Sequence, residues 1–375
     1  MLIFGMKTTI RGRGSADNPA NRFDRVYVDS SVFDDAMKND GDSDDDGGEF
    51  CRPERPDTIF YRDHSKTVMS RNQSPDIPFD YSVNPYRGCE HGCIYCYARP
   101  THEYLGFSAG LDFETRIMVK PDAPELLARE LSRPGWVPQS VCLSGNTDCY
   151  QPAERRLKIT RRCLEVLRDF RNPVTIITKN HLVTRDIDIL SEMAALNLVR
   201  VSISITSLDP DLTAILEPRT SRPQRRLDAI RQLSEAGITT AVMTAPIIPA
   251  LNDHEIPALL RAAREAGATR AGYTMLRLPL AVRPLFTDWL DRHYPDRKEK
   301  ILNRVRDMRG GKLNRSEFKS RMKGEGNFAE QVSSLFRIHT ARLGLNTERL
   351  PVDSGHFRIP AVYRKDRQTN LFDSG

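Results

Sequence analysis

The chain has 375 residues, 39% of them hydrophobic, and a formal net charge of +6 at pH 7. This length allows one large buried core and a smaller appended unit. No run of about 18 uncharged apolar residues occurs, which argues against a membrane-spanning helix, and the apolar start is too short for a signal peptide. Seven cysteines, three of them in one short stretch, favour metal binding in a reducing compartment over a disulfide framework. We therefore expect a cytoplasmic protein.

Charge is unevenly distributed along the chain. Residues 1–50 carry six Lys or Arg against eleven Asp or Glu, whereas residues 283–349 carry sixteen against nine. The highly charged stretch Asn39–Phe50 has too little apolar surface to fold, so residues 1–60 are predicted to be a disordered acidic segment. The basic stretch at residues 283–349 either contacts nucleic acid or forms the solvated surface of helices.

The middle of the chain alternates apolar runs with amphipathic stretches, which predicts a parallel sheet covered by helices. With a first strand just before residue 84, the count fits a barrel or partial barrel of about six β/α units over residues 61–282. A doubly wound sheet has the same pattern. The predicted strands are Ser140–Ser144, Val174–Thr178, Val199–Thr206, Thr240–Ala245 and Ala271–Met275, and the helices between them are Leu157–Phe170, Ile187–Leu196, Gln224–Ala236 and Glu255–Ala266.

After Pro279 the pattern changes to charged helices with apolar spacing. Phe286–Arg309 and Ser316–Leu343 are predicted helices, separated by two glycines. We expect residues 283–349 to be a helical C-terminal extension packed on the barrel, and residues 350–375 to be an irregular tail.

The most informative stretch is Asn84–Pro100, which reads NPYRGCEHGCIYCYARP and is called the cysteine loop below. It places Cys89, Cys93 and Cys96 at C-x3-C-x2-C spacing. Three such thiolates can bind three irons of a [4Fe–4S] cluster and leave the fourth iron open to a small molecule. A structural zinc site usually has four protein ligands from two cysteine pairs, and only one triplet is present here. The spacing favours the cluster.

The cysteine loop resembles the cluster motif of the radical S-adenosylmethionine (radical SAM) enzymes. Its string C-I-Y-C-Y, with Tyr95 and Tyr97, resembles the spore photoproduct lyase-like branch of that superfamily. The resemblance implies an α/β fold, a partial (β/α)6 TIM-like barrel, in which three cysteines hold a [4Fe–4S] cluster and the fourth iron binds SAM. It also implies a reducing partner of the flavodoxin or ferredoxin type, whose electron cleaves SAM to a 5′-deoxyadenosyl radical that abstracts hydrogen from the substrate. A lyase or an oxidoreductase reaction follows from this chemistry.

The active site of a β/α barrel forms at the carboxyl ends of its strands. Gly145, Asn146 and Asp148 follow the strand Ser140–Ser144 and suit either a polar ligand or an Asx-rich turn. The resemblance implies that this position binds the amino group of SAM, although S-G-N replaces the usual G-G-E.

Two further strand ends carry polar side chains. Lys179 follows Val174–Thr178 and needs an acceptor. The resemblance implies that it binds the SAM carboxylate, and a salt bridge in the barrel rim is the alternative. The period of two places Ser202 and Ser204 on one face of Val199–Thr206. The resemblance implies that one of them binds the ribose of SAM. The alternative is that both hydroxyls form hydrogen bonds with neighbouring groups of the protein.

A cysteine near a radical can donate a hydrogen atom. Spore photoproduct lyase has such a cysteine at the position that Gly145 occupies here, which argues against the same repair reaction. Cys142 and Cys149 are the nearby candidates. The resemblance adds Tyr95 and Tyr97 as residues that pack by the cluster, one of which contacts SAM or relays a radical.

The substrate is not specified by these motifs, but three features favour DNA or RNA: the branch, the basic extension and a peptide near the end of the chain. In that peptide Gln368, Leu371 and Phe372 resemble the motif that docks on the bacterial sliding clamp, although so short a match also arises by chance. Arginines follow Glu217 and suit a phosphate, a carboxylate or salt bridges at a helix start. The alternative function is a non-catalytic, metal-stabilised nucleic-acid-binding protein.

Overall fold

A computed structural model describes residues 10–23, 56–347 and 351–363. From residue 123 to residue 275 of this described part, strands and helices alternate along the chain. The strands are β1 (Ile59–Arg62), β2 (Met69–Arg71), β3 (Tyr81–Val83), β4 (Tyr86–Arg87), β5 (Arg116–Val119), β6 (Val141–Leu143), β7 (Val174–Thr178), β8 (Val199–Ser204), β9 (Thr240–Ile247) and β10 (Arg270–Met275).

The α-helices range from single turns to sixteen residues, and short 3-10 segments lie between some of them. The α-helices are α1 (Asp112–Thr115), α2 (Ala123–Leu131), α3 (Glu154–Leu157), α4 (Ile159–Phe170), α5 (Ile187–Ala194), α6 (Pro210–Leu216), α7 (Pro223–Glu235), α8 (Ile256–Glu265), α9 (Val282–His293), α10 (Lys298–Asp307), α11 (Ser320–Lys323) and α12 (Asn327–Arg342), and the 3-10 segments are Arg99–Leu105, His181–Asp186, Asp253–Glu255, Pro295–Arg297 and Ala361–Tyr363.

The main sheet has seven strands in the order β10-β9-β8-β7-β6-β3-β2. Six of them are parallel and follow chain order, and β2 pairs antiparallel with β3 at one edge. A doubly wound sheet reverses its strand order at a switch point, and no such reversal occurs here. The sheet therefore has the arrangement predicted for a partial barrel of six β/α units. A smaller sheet, β1-β5-β4, was not predicted and lies in the segment around the cysteine loop.

The two faces of the main sheet differ in chemistry. In β8, Val199, Val201 and Ile203 belong to the main hydrophobic core, together with apolar residues of helices α2, α4, α5, α7 and α8. The alternate residues, among them Arg200 and Ser202, point to the other face, because side chains of a strand alternate. The helices thus cover one face, and the inner face of the partial barrel keeps polar side chains, as the period of two predicts.

Local sequence explains where two helices begin. Asp209 accepts hydrogen bonds from the backbone N–H groups of Asp211 (2.8 Å) and Leu212 (3.2 Å), which caps α6 at its proline start. The predicted helix Leu157–Phe170 is divided into α3 and α4 because Lys158 adopts a left-handed φ of 51°, which interrupts a helix.

The C-terminal extension shares a second core with the cysteine loop. Trp289 of α9 is fully buried and belongs to a cluster that also contains Ile94 and Tyr95 of that loop. Its indole N–H donates to the carbonyl of Ile215 at 3.1 Å. Helices α9 and α10 are therefore part of the structure that supports the cysteine loop.

Two terminal segments also pack on the barrel. Residues 10–23, called the N-terminal strap below, include the buried Ser15 and Asn21, so this part of the segment expected to be disordered belongs to the folded unit. Residues 351–363 bond to it as well: the N–H of Arg358 donates to the carbonyl of Phe170 at 2.9 Å. The acidic stretch 39–50 and the peptide at residues 368–372 lie outside the described residues.

None of the helices in the described ranges is long and apolar enough to cross a lipid bilayer.

We expect Trp289→Ala to lower the free energy of unfolding by about 3–5 kcal/mol, because it removes a fully buried indole from the core. Urea unfolding followed by circular dichroism measures this change. Glu299→Ala on α10, where the side chain is 70% exposed, is the control and should change stability by less than about 0.5 kcal/mol. Equal stability of the two variants would show that the extension is not part of the cooperative unit.

Candidate active site

The cysteine loop lies at the carboxyl end of the main sheet. The N–H of Ile94 donates to the carbonyl of Leu216, and the N–H of Arg219 donates to the carbonyl of His91, both at 3.2 Å. Leu216 and Arg219 belong to the connection that follows β8. The loop therefore sits at the end of the barrel where active sites of this architecture form.

The three predicted cluster ligands are free thiols in this loop. Cys89 and Cys93 are 7% and 8% exposed, and Cys96 is half-buried. Burial raises the pKa of Cys93 well above its usual range and that of Cys96 to about 11. Thiolates at these positions are therefore unfavourable unless a positive group such as iron stabilises them.

Arg99 holds the carbonyls of the loop in place. Its fully buried guanidinium donates to the carbonyls of Gly92 (3.2 Å) and Cys93 (2.9 Å), and to the carbonyls of residues 109 and 110. It also forms a buried ion pair with Glu114, with 2.6 Å between Nη2 and Oε1. All three nitrogen atoms of this guanidinium thus hold backbone carbonyls that lie between or after the cysteines.

The N-terminal strap completes this arrangement. The N–H groups of Gly14 and Ser15 donate to the two carboxylate oxygens of Glu114 at 3.0 and 2.9 Å, and the Arg13 guanidinium donates to the Glu114 carbonyl at 2.9 Å. A Cβ at position 14 would lie 1.8 Å from the carbonyl oxygen of Gly92. Only glycine fits this contact, so the strap and the cysteine loop are packed backbone to backbone.

The two candidate hydrogen donors face different environments. Cys142 lies between Val141 and Leu143, both members of the main core, so its side chain points to the inner face of the barrel. Burial, then Cys96, then Cys142 raise the pKa of Tyr97 above its usual range. Cys149 is fully buried within the main core. The structure therefore brings Cys142, and not Cys149, to the inner face.

The loop that follows β6 contacts the cysteine loop directly. The Tyr97 hydroxyl donates to the carbonyl of Gly145 at 2.6 Å. Asn146 has an exposed side chain, and its N–H donates to the Asn84 side chain at 2.8 Å. Gly145 and Asn146 therefore lie beside the cysteine loop, and the side-chain amide of Asn146 is exposed.

Asp148 points into the wall of the barrel. It accepts hydrogen bonds from the hydroxyl of Thr178 (2.7 Å) and the N–H of Lys179 (2.8 Å), and lies 3.3 Å from Nδ1 of His91. The other ring nitrogen of His91 lies 3.2 Å from the Asn180 amide. Asp148 thus ties the ends of two strands to the cysteine loop instead of presenting its carboxylate to a ligand.

Lys179 lies at the centre of a polar network. Its Nζ donates to the hydroxyl of Ser204 (2.5 Å) and the carbonyl of Ala245 (3.2 Å), lies 3.6 Å from a carboxylate oxygen of Glu217, and lies 5.8 Å from the centre of the Tyr95 ring. The alternative reading, a salt bridge in the barrel rim, matches these contacts. The Lys179 side chain as a whole is 15% exposed, so this network does not enclose it completely.

Glu217 is the buried anion of this network. It accepts hydrogen bonds from Tyr95 and Thr206 and forms an ion pair with the fully buried Arg226. Burial alone would raise its pKa, but Arg226, Lys179 and these hydrogen bonds outweigh burial and lower the pKa to about 2. The Tyr95 hydroxyl therefore donates to a carboxylate that stays charged, and Tyr95 acts as a positioning residue.

The two serines of β8 differ in whether their hydroxyls are bonded within this network. Ser204 accepts from Lys179 and donates to the Ala245 carbonyl at 3.3 Å. Ser202 is half-buried on the inner face, opposite Ile177 and Ala241 of the neighbouring strands. Of the pair that sequence could not separate, Ser202 is the one whose hydroxyl is not bonded within this network.

Comparison with protein families places this site in a known superfamily. The model of the radical SAM superfamily matches residues 83–263. An uncharacterised protein of Mycobacterium tuberculosis is 39% identical over 234 residues, which cover 62% of this chain and 68% of that protein. The chain belongs to the radical SAM superfamily. An uncharacterised protein of Methanocaldococcus jannaschii is also similar, 29% identical over 225 residues that cover 60% of this chain and 80% of that protein.

Solved structures of spore photoproduct lyase share the radical SAM fold of this chain. The complex with dinucleoside spore photoproduct has a TM-score of 0.56 and 15% identity, covering 77% of this chain and 80% of that chain. A mutant of the same enzyme with bound AdoMet and dinucleoside spore photoproduct has a TM-score of 0.55 and 16% identity over the same shares. At this identity the likeness establishes the fold, and the predicted partial (β/α)6 barrel is confirmed.

The cofactors of a radical SAM protein are a [4Fe–4S] cluster and SAM, and the residues present fit them. In the described ranges no three His, Cys, Asp or Glu side chains converge on a point where one metal ion would bind. Cluster thiolates do not need to converge, since each of them binds a different iron. Two buried thiols and one half-buried thiol on one braced loop therefore match a cluster better than the single zinc ion of the alternative function.

Sequence reasoning missed the residues that hold the loop. Glu114 and Gly14 lie outside the cysteine loop, and Arg99, although within it, has no recognised spacing to the cysteines. The one signal was the repeated R-G in residues 11–14, since glycine allows another backbone to approach closely.

We expect Gly14→Ala to reduce iron incorporation well below the four irons of a full cluster, because its Cβ displaces either the strap or the Gly92 carbonyl. Iron and sulfide assays after anaerobic reconstitution, together with the electron paramagnetic resonance spectrum of the reduced protein, measure the effect. Gly12→Ala is the control, since its φ of 76° carries a backbone cost of about 1–2 kcal/mol but nothing lies within 4 Å. A Gly14→Ala protein with the iron content and spectrum of the wild type would show that the strap does not position the loop.

Proposed function

We propose that this radical SAM enzyme abstracts hydrogen from a nucleic-acid substrate bound across the mouth of the barrel. The observation that carries the proposal is the position of the cysteine loop beside an open, polar inner face at the carboxyl end of the sheet. When bound, the cluster and SAM supply one-electron cleavage of SAM and hydrogen-atom abstraction. The protein residues bind, orient and shield the reactants.

Positive charge at the mouth supports a polyanionic substrate. A cleft of about 560 Å³ lies between the loop after β10 and the C-terminal extension. Arg283, Arg306 and Lys312 line it together with Leu278 and Leu280. Cations suit the phosphates of a nucleic acid, and the leucines suit its bases. The fold of spore photoproduct lyase, which one solved structure shows with a dinucleoside photoproduct, supports the same class of substrate.

We assign the following roles within this proposal. Cys89, Cys93 and Cys96 hold the cluster. Asn146, with its exposed amide beside Gly145, contacts the amino group of SAM, Lys179 its carboxylate, and Ser202 its ribose. Cys142 and Tyr97 stand on the inner side where a hydrogen atom passes between substrate and cofactor, so the exact reaction, of the lyase or oxidoreductase type, depends on them.

Anaerobic reconstitution with iron and sulfide tests the enzyme. About four irons per chain and the visible absorbance of an iron–sulfur cluster are expected, with 5′-deoxyadenosine released after dithionite and SAM are added. Alanine at any of the three loop cysteines should abolish both results. Cys163→Ala is the control, because Cys163 is also fully buried but lies in α4. Bound zinc with no iron would instead favour the metal-stabilised nucleic-acid-binding protein.

Lys179→Met should weaken SAM binding by about tenfold or more, because it removes a hydrogen bond between two charged groups. Equilibrium dialysis of SAM against reconstituted, unreduced protein measures the dissociation constant. Lys179→Arg keeps the charge and should retain most of the affinity. Unchanged affinity in Lys179→Met, at equal iron content, would mean that Lys179 serves only the Glu217 network.

A further inference from the structure

A second cleft opens at the same end of the barrel, away from the C-terminal extension. Its volume is about 530 Å³, and it is formed by the connections that follow β6, β7 and β8. Four arginines and a histidine line it: Arg155, His181, Arg185, Arg219 and Arg225. We call it the arginine cleft.

Two of these arginines are neutralised by carboxylates within the protein. Arg185 lies 2.9 Å from Glu154 and 2.8 Å from Asp186, and Arg219 lies 2.9 Å from Glu90. These pairs are partly buried and fix the walls of the cleft. Their charges are balanced, so they do not by themselves attract an anion.

The other two arginines lack such partners. In the described part of the chain, neither Arg155 nor Arg225 lies within ion-pair distance of a carboxylate, and both are exposed at the rim. Arg225 instead places a guanidinium nitrogen 3.3 Å from Nδ1 of His181. Burial and then Arg225 lower the pKa of His181, Asp228 opposes them, and Arg155 adds a smaller lowering effect. The cleft therefore has two unbalanced positive charges facing a neutral imidazole.

The cleft is also joined to the cysteine loop. Asn180, one of its lining residues, lies 3.2 Å from the ring of His91, and the N–H of Arg219 donates to the His91 carbonyl. A ligand held in the cleft is thus separated from His91 of the cysteine loop by the side chain of Asn180. Ser221 bonds to Asn180 at 3.1 Å and accepts from the N–H of His181 at 2.8 Å, so this wall is preformed.

We infer that the arginine cleft binds a phosphate group of the substrate. Guanidinium groups match the oxygens of a phosphate with paired hydrogen bonds, and a cleft of about 530 Å³ suits a small group better than an acidic protein, whose docking surface covers about 800 Å² on each partner. The phosphate belongs either to a nucleotide or to the backbone of a nucleic-acid strand. This inference rests on the proposed function and names the point at which its substrate is anchored.

The test is the binding of a fluorescently labelled single strand, DNA or RNA, of about 12 nucleotides, a length within the site sizes of single-strand binding folds. Fluorescence anisotropy with the full chain gives the dissociation constant. The double variant Arg155→Gln, Arg225→Gln should bind about tenfold to a hundredfold more weakly, because each substitution removes a charged hydrogen-bonding group. The slope of log affinity against log salt should become shallower by about 0.7, the value for one phosphate of a single strand.

Arg261→Gln, Arg337→Gln is the matched control, since it removes two exposed charges from α8 and α12, outside the cleft. It should leave the affinity within about twofold, because surface charges beyond a Debye length of about 8–10 Å are largely screened. Thermal unfolding and iron content should be equal in both double variants. Equal loss of affinity in the two, or no loss in the cleft variant, would overturn the inference.

Two further arms identify the source of the phosphate. Competition by a mononucleotide at equal phosphate concentration indicates a nucleotide ligand, and competition only by strands indicates a polymer. If the cleft variant loses binding to a reduced flavodoxin but still binds nucleic acid normally, the cleft binds an acidic protein and not a phosphate. That result would overturn the inference. Strand binding does not require SAM cleavage, so absence of 5′-deoxyadenosine would contradict the proposed function alone.

Discussion

The buried ion pair between Arg99 and Glu114 is the interaction on which the site depends. Neither charge is exposed. Each is stable in the interior only because the opposite charge and the surrounding backbone groups compensate it. The pair joins three segments: the N-terminal strap, the cysteine loop and α1. Removing one partner of such a pair costs about 3–5 kcal/mol, and here that cost would fall on the backbone between the cysteines. The positions of the cysteines are therefore set by the buried side chains of Arg99 and Glu114.

A second buried charge cluster organises the opposite side of the mouth. Glu217 binds Arg226, Lys179, Tyr95 and Thr206 together, and these residues come from the cysteine loop and the ends or connections of β7 and β8. The low pKa of Glu217 keeps the network charged at any physiological pH. Because Lys179 is the one member with side-chain exposure at the mouth, the network presents a single cation to a ligand while its other charges remain internal.

The sequence predicted the strands and helices of the barrel well, because the apolar runs of β7 and β8 and the helices between them report directly on burial. It also predicted that Ser202 and Ser204 share a face, since a strand has a fixed period. It did not distinguish them, because the partner of Ser204 is Lys179, on a neighbouring strand. Nor did it predict the role of Asp148, which depends on Thr178 and His91. The predicted disorder of residues 1–60 rests on the charged stretch Asn39–Phe50 and does not extend to the strap, because the strap packs on Glu114, a residue about 100 positions away.

Cationic side chains line two separate clefts. One cleft lies beside the C-terminal extension and the other beside the connections after β6, β7 and β8, and the cysteine loop contacts the connections between them. A phosphate backbone carries charge at regular intervals, so two separated cationic sites bind a strand more tightly than either site alone. A small neutral metabolite would gain nothing from this separation. Under the proposed function, this charge pattern, which is independent of the cysteine motif, supports an extended anion as the substrate.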